Sequence, residues 1–266
     1  MRTLVAIPVY NEEAHLPRVL DAVRRYTDHI LVIDDGSTDR TAELLKHYPT
    51  ISVIHNLENR GYGQSLIHAF RFAACRRFSW VVTMDCDEQH EPRMLPAFFT
   101  AIAADDADII SGSRYLTAHP EDDDPPPERR RINQEITDLL REKLRLRLTD
   151  SFCGFKAHRV SAVNGLPLNE PGYAFPLQFW TQCVRAGLRI RELPVPRIYR
   201  DRSRRFGGTL DDPDARRQHY LEVLAAELNA QPAASPARLP LAETTCRINE
   251  SSRMIVCSRR PSTWES

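Results

Sequence analysis

Two aspartates one residue apart, Asp85 and Asp87, follow the apolar run 80–84. Carboxylates so spaced at a strand end can both turn toward one divalent cation. Mg²⁺ and Mn²⁺ favour such hard oxygen ligands and share their coordination sphere with phosphate oxygens. Gln89 and His90 stand close enough to add contacts. A second acidic pair, Asp34-Asp35, precedes Gly36-Ser37. A carboxylate there can accept N–H bonds from a nucleobase edge, while glycine permits a tight turn into a helix. A turn with an N-cap accounts for Gly36, Ser37 and Asp39, but less well for two adjacent acids. The third cluster is Pro8-Val9-Tyr10-Asn11-Glu12. Tyr10 could stack on a base and Glu12 could hold a ribose hydroxyl. Taken alone, it also reads as an ordinary strand-to-helix loop.

The elements around these clusters follow one pattern. Apolar strands are expected at 4–7 (ended by Pro8), 30–33, 51–54 and 80–84. Helical spacing is expected over 13–26, 40–47 and 62–77, with an N-cap region at 37–39. Continuous apolar strands alternating with helices imply a mostly parallel α/β sheet with helices on both faces. Ligands of such sheets bind at the carboxyl ends of the strands. Three of those ends carry the clusters at 8–12, 34–39 and 85–89.

The middle of the chain changes character. Glu121-Asp122-Asp123-Asp124 is an acidic run, and Pro125-Pro126-Pro127 is expected to stop any helix. Residues 129–147 read as a basic amphipathic helix, where seven Arg and Lys against three acids give +4. Residues 189–205 carry seven Arg against two acids, giving +5. A helix is expected near 213–229. Beyond it, 231–266 is rich in Pro, Ala and Ser and reads as a low-order C-terminal tail.

Composition narrows the classes. The 266 residues carry 36 Lys plus Arg and 36 Asp plus Glu, a formal charge of zero, so a nucleic-acid coat is disfavoured. No apolar run approaches the roughly 18–20 residues that span a bilayer. The first residues lack a signal peptide's apolar segment and small-residue cleavage site. The expected location is cytoplasmic. Six scattered cysteines without a CxxC pair read as reduced thiols, neither a disulfide framework nor a zinc site.

Taken in order, IPVYNEE at 7–13, IDDGSTD at 33–39, the glycine turn at 59–63 and DCDEQH at 85–90 resemble the family 2 glycosyltransferases of GT-A fold. SGSRY at 111–115, DSFCGFK at 150–156 and GYAFPLQ at 172–178 are similar to their dolichol- and polyprenyl-phosphate mannosyltransferase-like branch. The resemblance covers residues 3–230. It implies a single GT-A (Rossmann-like) catalytic domain over 1–230 that binds a nucleotide-sugar donor, GDP-mannose or a UDP-hexose, with Mg²⁺ or Mn²⁺. Carried over, Pro8, Tyr10, Glu12 and Asp35 would hold the nucleoside, with Asp34 sharing that role. Asp85, Cys86 and Asp87 would lie along the diphosphate and sugar. Asp87 would be the principal metal ligand, with Asp85 and Gln89 beside it. Arg114 would meet the donor phosphates, and Arg200 with Arg204 or Arg205 would close on the diphosphate. A lipid-phosphate or glycan acceptor would attack the anomeric carbon from the opposite face and invert it, in the service of cell-envelope glycan assembly.

The sequence also departs from the pattern. Position 178 is Gln178, where the lipid-phosphate members usually have an acid. A hydroxyl acceptor needs a carboxylate base, for which Asp150 and Glu170 are the candidates, and Asp150 is read as catalytic alongside Asp87 and Arg114. Asp150 could instead cap a loop or pair with a nearby arginine. A phosphate acceptor is already ionised and needs no base. Many lipid-acceptor relatives carry membrane spans after the catalytic domain. Here the helix at 129–147 could rest on an anionic membrane surface, or be a solvated face with internal ion pairs. Two alternatives stand: a catalytically silent relative that binds a nucleotide sugar, and a sugar-phosphate nucleotidyltransferase. The second lacks its Gly-rich basic loop after strand one. A Rossmann dehydrogenase lacks its GxGxxG there.

Overall fold

The computed structural model describes residues 1–120, 122–199 and 206–230, and the backbone of two short segments, Ile248–Asn249 and Met254–Ile255. The first half alternates as expected: β1 (Thr3–Val9), α1 (Leu16–Val23), β2 (Ile30–Asp34), α2 (Thr41–Leu45), β3 (Ser52–His55), α3 (Tyr62–Cys75) and β4 (Trp80–Thr83). Then come α4 (Leu95–Ala103), β5 (Ile109–Ser113), α5 (Pro127–Leu144), β6 (Lys156–Arg159), α6 (Val160–Val163), α7 (Phe175–Arg185), β7 (Ile190–Pro194) and α8 (Pro213–Asn229). The two short segments are β8 and β9.

All nine strands form one sheet, in the order β7-β5-β6-β4-β1-β2-β3-β9-β8. Neighbours among β1 to β4 pair in parallel, as do β5 with β7 and β3 with β9. β6 runs antiparallel between β4 and β5. The sheet is thus mixed but mostly parallel. β1 is apolar throughout because both of its faces are covered, and alternate side chains serve different cores. Leu4 and Ala6 join Leu31, Ile33 and Val81 under α3, α5, α7 and α8. Val5, Ile7 and Val9 join Val32 and Val82 under α1, α2 and α4.

Two prolines behave differently from expectation. Pro8 does not end β1, which continues to Val9 in register with β2. β4 pairs with β1 only from Thr3↔Trp80 to Ala6↔Thr83. At Pro8 the side toward β4 therefore has no partner strand, and the missing N–H costs no ladder bond. Nor does the triple proline only stop helices. Pro127 opens α5, where the fixed φ and absent N–H of proline suit the first helical position. That helix ends at Leu144, three residues short of the expected 129–147, with Arg145 after it in the left-handed region at φ 53°. α1 is likewise shorter than 13–26, because Glu12 O accepts from both His15 N and Leu16 N in a turn before it. Most of 231–266, the expected low-order tail, lies outside the described residues. Within it, β8 and β9 extend the sheet beyond β3.

Candidate functional site

The carboxyl ends of β1, β2, β4 and β5 open on one cavity of about 730 Å³. Pro8, Tyr10, Glu12, Asp35, Asp85, Cys86, Asp87, Gln89 and Arg114 all line it. Asp34 and Asp150 do not. Arg200, Arg204 and Arg205 lie outside the described residues.

The β1 end is fixed by its neighbour loop. Asn11, at φ 56°, accepts from Thr38 N at 2.7 Å and donates its own N–H to Ser37 Oγ at 3.0 Å. Glu12 N donates to Thr41 Oγ1 at 2.9 Å. Ser37 and Asp39, read as caps, thus stitch two strand-end loops together. Asp34 is a correction: it is 2% exposed, and its carboxylate accepts from Ser37 N at 3.0 Å and meets His55 Nδ1 at 2.9 Å. Burial alone would raise its pKa, but the bonds to His55 and Ser37 hold it below the ordinary value. It is a structural strut beneath the turn.

Asp35 faces the cavity and also shapes it. It accepts from Asn56 Nδ2 at 2.7 Å, Arg60 N at 2.9 Å and Gly61 N at 2.8 Å. The glycine turn must be bare. Gly61 has φ 98°, and a Cβ there would stand 2.3 Å from Pro171 O. That contact presses the loop carrying Tyr173 onto the start of α3, where Tyr62 and Tyr173 stack with ring centres 5.8 Å apart.

The Asp85–His90 turn is held on both sides. Asp85 N donates to His90 Nδ1 at 2.8 Å, so this ring nitrogen is an acceptor and the imidazole is neutral. Burial agrees, pushing the His90 pKa down to about 4. The 3.6 Å approach of His90 to the Asp85 carboxylate is therefore no ion pair. Tyr62 hydrogen-bonds Asp85, and burial first, then that carboxylate, raises the phenol well above its ordinary value. Gly154 gives Asp85 room, since a Cβ there would lie 2.7 Å from Oδ2. Asp87 accepts from Gln89 N at 3.1 Å. Between them and His90, Glu88 takes φ 60° and pairs with Arg18 of α1 at 2.8 Å.

Arg114 follows the end of β5 and lines the same cavity. Its Nε and Nη2 donate to Asp150 at 2.6 and 2.9 Å, and Asn133 Nδ2 adds a bond at 2.9 Å. Arg114 Nη1 donates to the Tyr199 hydroxyl at 3.2 Å. Burial alone would raise the Asp150 carboxyl, but the Arg114 guanidinium holds it well below the usual carboxylate range. Asp150 is 0% exposed. A strongly acidic, fully bonded carboxylate away from the cavity is no general base, so the structure corrects its catalytic reading. It orients Arg114. Glu170 bonds back to Gly172 N at 2.9 Å and does not line the cavity. Gln178 accepts from Asn169 N and Glu170 N and donates to Asn169 and Glu227, so this amide braces a loop against α8.

Several cavity residues were not singled out from the sequence: Tyr62, Asn133, Tyr173, Phe206, Arg216 and Tyr220. Arg216 and Tyr220 lie one turn apart on α8, and spacing at i, i+4 on a charged helix was their only signal. The cavity is lined by both signs of charge, the carboxylates of Glu12, Asp35, Asp85 and Asp87 and the guanidinium groups of Arg114, Arg129 and Arg216. Among the described residues no three His, Cys, Asp or Glu side chains gather around one metal position. Asp85 and Asp87 supply the hard-oxygen pair that Mg²⁺ or Mn²⁺ uses when donor phosphates and water complete the sphere.

Residues 4–165 match the family model described as Glycosyl transferase family 2. An undecaprenyl-phosphate mannosyltransferase of Micrococcus luteus is 30% identical over 80% of this chain and 90% of its own. A polyprenol monophosphomannose synthase of Mycolicibacterium smegmatis is 30% identical over 73% of this chain and 76% of its own. Among solved structures, glucosyl-3-phosphoglycerate synthase from Mycobacterium tuberculosis, in complex with Mn²⁺, UDP-glucose and phosphoglyceric acid, has the same fold. Its TM-score is 0.65 at 21% identity, covering 87% of this chain and 81% of that one.

Proposed function

The chain belongs to glycosyl transferase family 2, and from that premise we propose that it transfers a sugar, with inversion, from a nucleotide-sugar donor to a polyprenyl-phosphate acceptor in a metal-dependent reaction. Residues 1–230 are the catalytic domain in this reading. The observation that carries it is the gathering of Asp85, Asp87 and Arg114 in the lining of one cavity at the strand ends. GDP-mannose and a UDP-hexose are both accommodated by the reading as donors. The mannosyltransferase relatives favour the first, and the UDP-glucose-bound structural neighbour keeps the second.

The leaving group is a nucleoside diphosphate, which gains negative charge as the glycosidic bond breaks. Mg²⁺ or Mn²⁺ held by Asp85 and Asp87, with Gln89 beside them, would neutralise part of that charge. Arg114 meets the same charge with a guanidinium already oriented by Asp150, so little reorganisation is needed as the reaction proceeds. Tyr62 holds the Asp85 carboxylate in place, and His90 holds the Asp85 backbone N–H. Tyr10 and Glu12, which line the cavity, would hold the nucleoside in this reading. A phosphate acceptor fits the site better than a glycan hydroxyl, because Asp150 and Gln178 are both committed to bonds within the fold. Its hydrocarbon lies in a membrane, so the protein must work at a membrane surface. Among the described residues no helix is long and apolar enough to cross one. The basic helix α5 spends part of its charge internally, Arg141 on Asp138 and Lys143 on Glu142.

A thermal-shift screen of nucleoside diphosphates and nucleotide sugars, with and without Mn²⁺, tests the donor. Stabilisation by GDP-mannose or a UDP-hexose should require the metal. Transfer of labelled sugar to farnesyl phosphate tests the acceptor. Metal-independent binding, or transfer to hydroxyl glycans alone, would refute the reading.

A further inference from the structure

Arg216 stands in the first turn of α8 and is only 3% exposed. Its Nη1 donates to Leu210 O at 2.8 Å, and its guanidinium lies 4.4 Å from the Phe206 ring centre. Its Nη2 is buried and makes no hydrogen bond. A desolvated guanidinium with no carboxylate bonded to it is costly; burial draws its pKa below the ordinary arginine value, and the charges of Glu128 and Asp211 offset this only in part. Such a group in a cavity wall is explained by a ligand that completes it.

The surroundings specify that ligand. Arg129 lies over the same Phe206 ring at 4.9 Å, so two guanidinium groups meet one aromatic ring. Beside them Phe152 and Tyr220 pack with ring centres 5.0 Å apart, and Tyr173 meets Phe206 edge-on at 5.3 Å. All line the same cavity as Asp85 and Asp87. Cations next to aromatic surface suit an anionic head on an apolar chain.

We propose that Arg216 is an acceptor-binding residue whose guanidinium takes the acceptor's phosphate in front of Phe206, with Phe152 and Tyr220 packing the first hydrocarbon units beyond it. The inference rests on the reading of the acceptor as a prenyl phosphate. In the transfer, an acceptor phosphate oxygen donates its electron pair to the anomeric carbon. The bond from that carbon to the donor's diphosphate oxygen breaks, and its pair leaves with the diphosphate. No proton moves. A guanidinium, permanently charged and able to grip two oxygens, holds the nucleophile without protonating it.

The test uses the full chain and three probes: farnesyl phosphate, farnesol and inorganic phosphate, each by titration calorimetry, with nucleoside diphosphate plus Mn²⁺ as a control for the fold. Arg216→Met should weaken farnesyl phosphate at least about tenfold and leave nucleotide binding within about twofold. Arg216→Lys, keeping a point charge, should fall between. Farnesol and inorganic phosphate should each bind the parent more weakly than farnesyl phosphate. Equal affinity of parent and Arg216→Met for farnesyl phosphate overturns the proposal, as does farnesol or inorganic phosphate binding equally well. A parallel loss of nucleotide binding in both variants also overturns it, because the residue would then be structural. Sugar transfer to farnesyl phosphate is scored separately. Arg216-dependent binding without transfer under any donor would refute the proposed reaction and leave the anion subsite standing.

Discussion

Replacing Asp150 by Asn separates its two readings, general base and anchor for Arg114. The carboxylate accepts from Arg114 Nε, Nη2 and backbone N, from Asn133 Nδ2 and from Phe152 N, at 2.6 to 3.2 Å. Asparagine keeps the shape but removes the charge and points an amide N–H₂ at donors. Breaking one side of a buried ion pair costs about 3–5 kcal/mol. At about 2–4 °C per kcal/mol for a chain of this size, the melting point should fall by ~10 °C. The pH dependence has a definite sign. A carboxyl held below its ordinary value of about 3.9 contributes fully above that value and loses its contribution only as pH falls through the depressed one. The deficit of the variant should therefore be flat from about pH 5 to pH 8. A misplaced Arg114 should lower kcat/KM by about 10²-fold, again without reshaping the pH profile. Arg114→Met with Asp150→Asn should cost less than the two single changes added, because the second no longer strands a charge. Differential scanning fluorimetry from pH 5 to 8 and steady-state rates over the same range are the assays. A variant that melts within about 2 °C of the parent, while the acid limb of its pH–rate profile disappears, would restore Asp150 as the base and refute this account.

Asp87→Ala should abolish Mn²⁺-dependent nucleotide binding with little change in melting point; calorimetry with and without metal decides, and undiminished metal-dependent affinity would count against the ligand role. His68, on α3, is drawn down to about 4 by burial first and by Arg71 and Arg60 next. The unfolded chain binds its proton more readily, so folding stability should decline as pH falls from about 6.5 toward 4, by ~3 kcal/mol from this residue; urea melts of His68→Leu should show a correspondingly flatter pH dependence. Gln178→Glu should destabilise by about 1–3 kcal/mol, since it loses the donor that meets Asn169 and sets a carboxylate against Glu227. Its rate per folded molecule should be unchanged, whereas a gain in transfer to hydroxyl acceptors would show that an acid here can serve as base.

The first four strands and their polar ends were legible because nothing competes with their pattern. Each is a short apolar run covered on both faces, and Asp35, Asp85 and Asp87 fall where the run stops. The second half hides its strands. β6 reads Lys156-Ala157-His158-Arg159, polar enough for a loop, yet its first three residues are buried. Lys156 donates to Cys153 O and lies over the Trp180 ring, and His158 meets Thr83 Oγ1 at 3.3 Å. Polar groups satisfied across strands erase the period by which a strand is read. β5 suffers similarly, since Ser111-Gly112-Ser113 follows only two isoleucines. Asp150 was open to misreading because its partner Arg114 is 36 residues away in sequence. Arg216 was invisible for a different reason. On a helix with a charge at nearly every turn, nothing distinguishes the guanidinium buried behind Phe206 from its solvated neighbours.

The zero net charge of the chain therefore conceals a division of labour. Residues up to about 90 supply the cavity's lining acids, from the ends of β1, β2 and β4. Residues from Arg114 onward supply its lining arginines, from the end of β5, α5 and α8. In the proposed reaction neither set would suffice alone, since the acids alone would repel a diphosphate and the arginines alone would leave no place for a divalent cation. What joins them is a contact between halves of the chain. The Gly61 turn takes Pro171 O at a distance no side chain allows, Gln64 N donates to the same oxygen at 3.0 Å, and Tyr62 stacks on Tyr173 while bonding Asp85. Tyr173 in turn meets Phe206, beneath Arg129 and Arg216. The aromatic chain thus runs from the Asp85 carboxylate to the Arg216 guanidinium. In the proposed reaction, packing along it would fix the spacing of donor and acceptor, which is what an in-line displacement at one carbon demands.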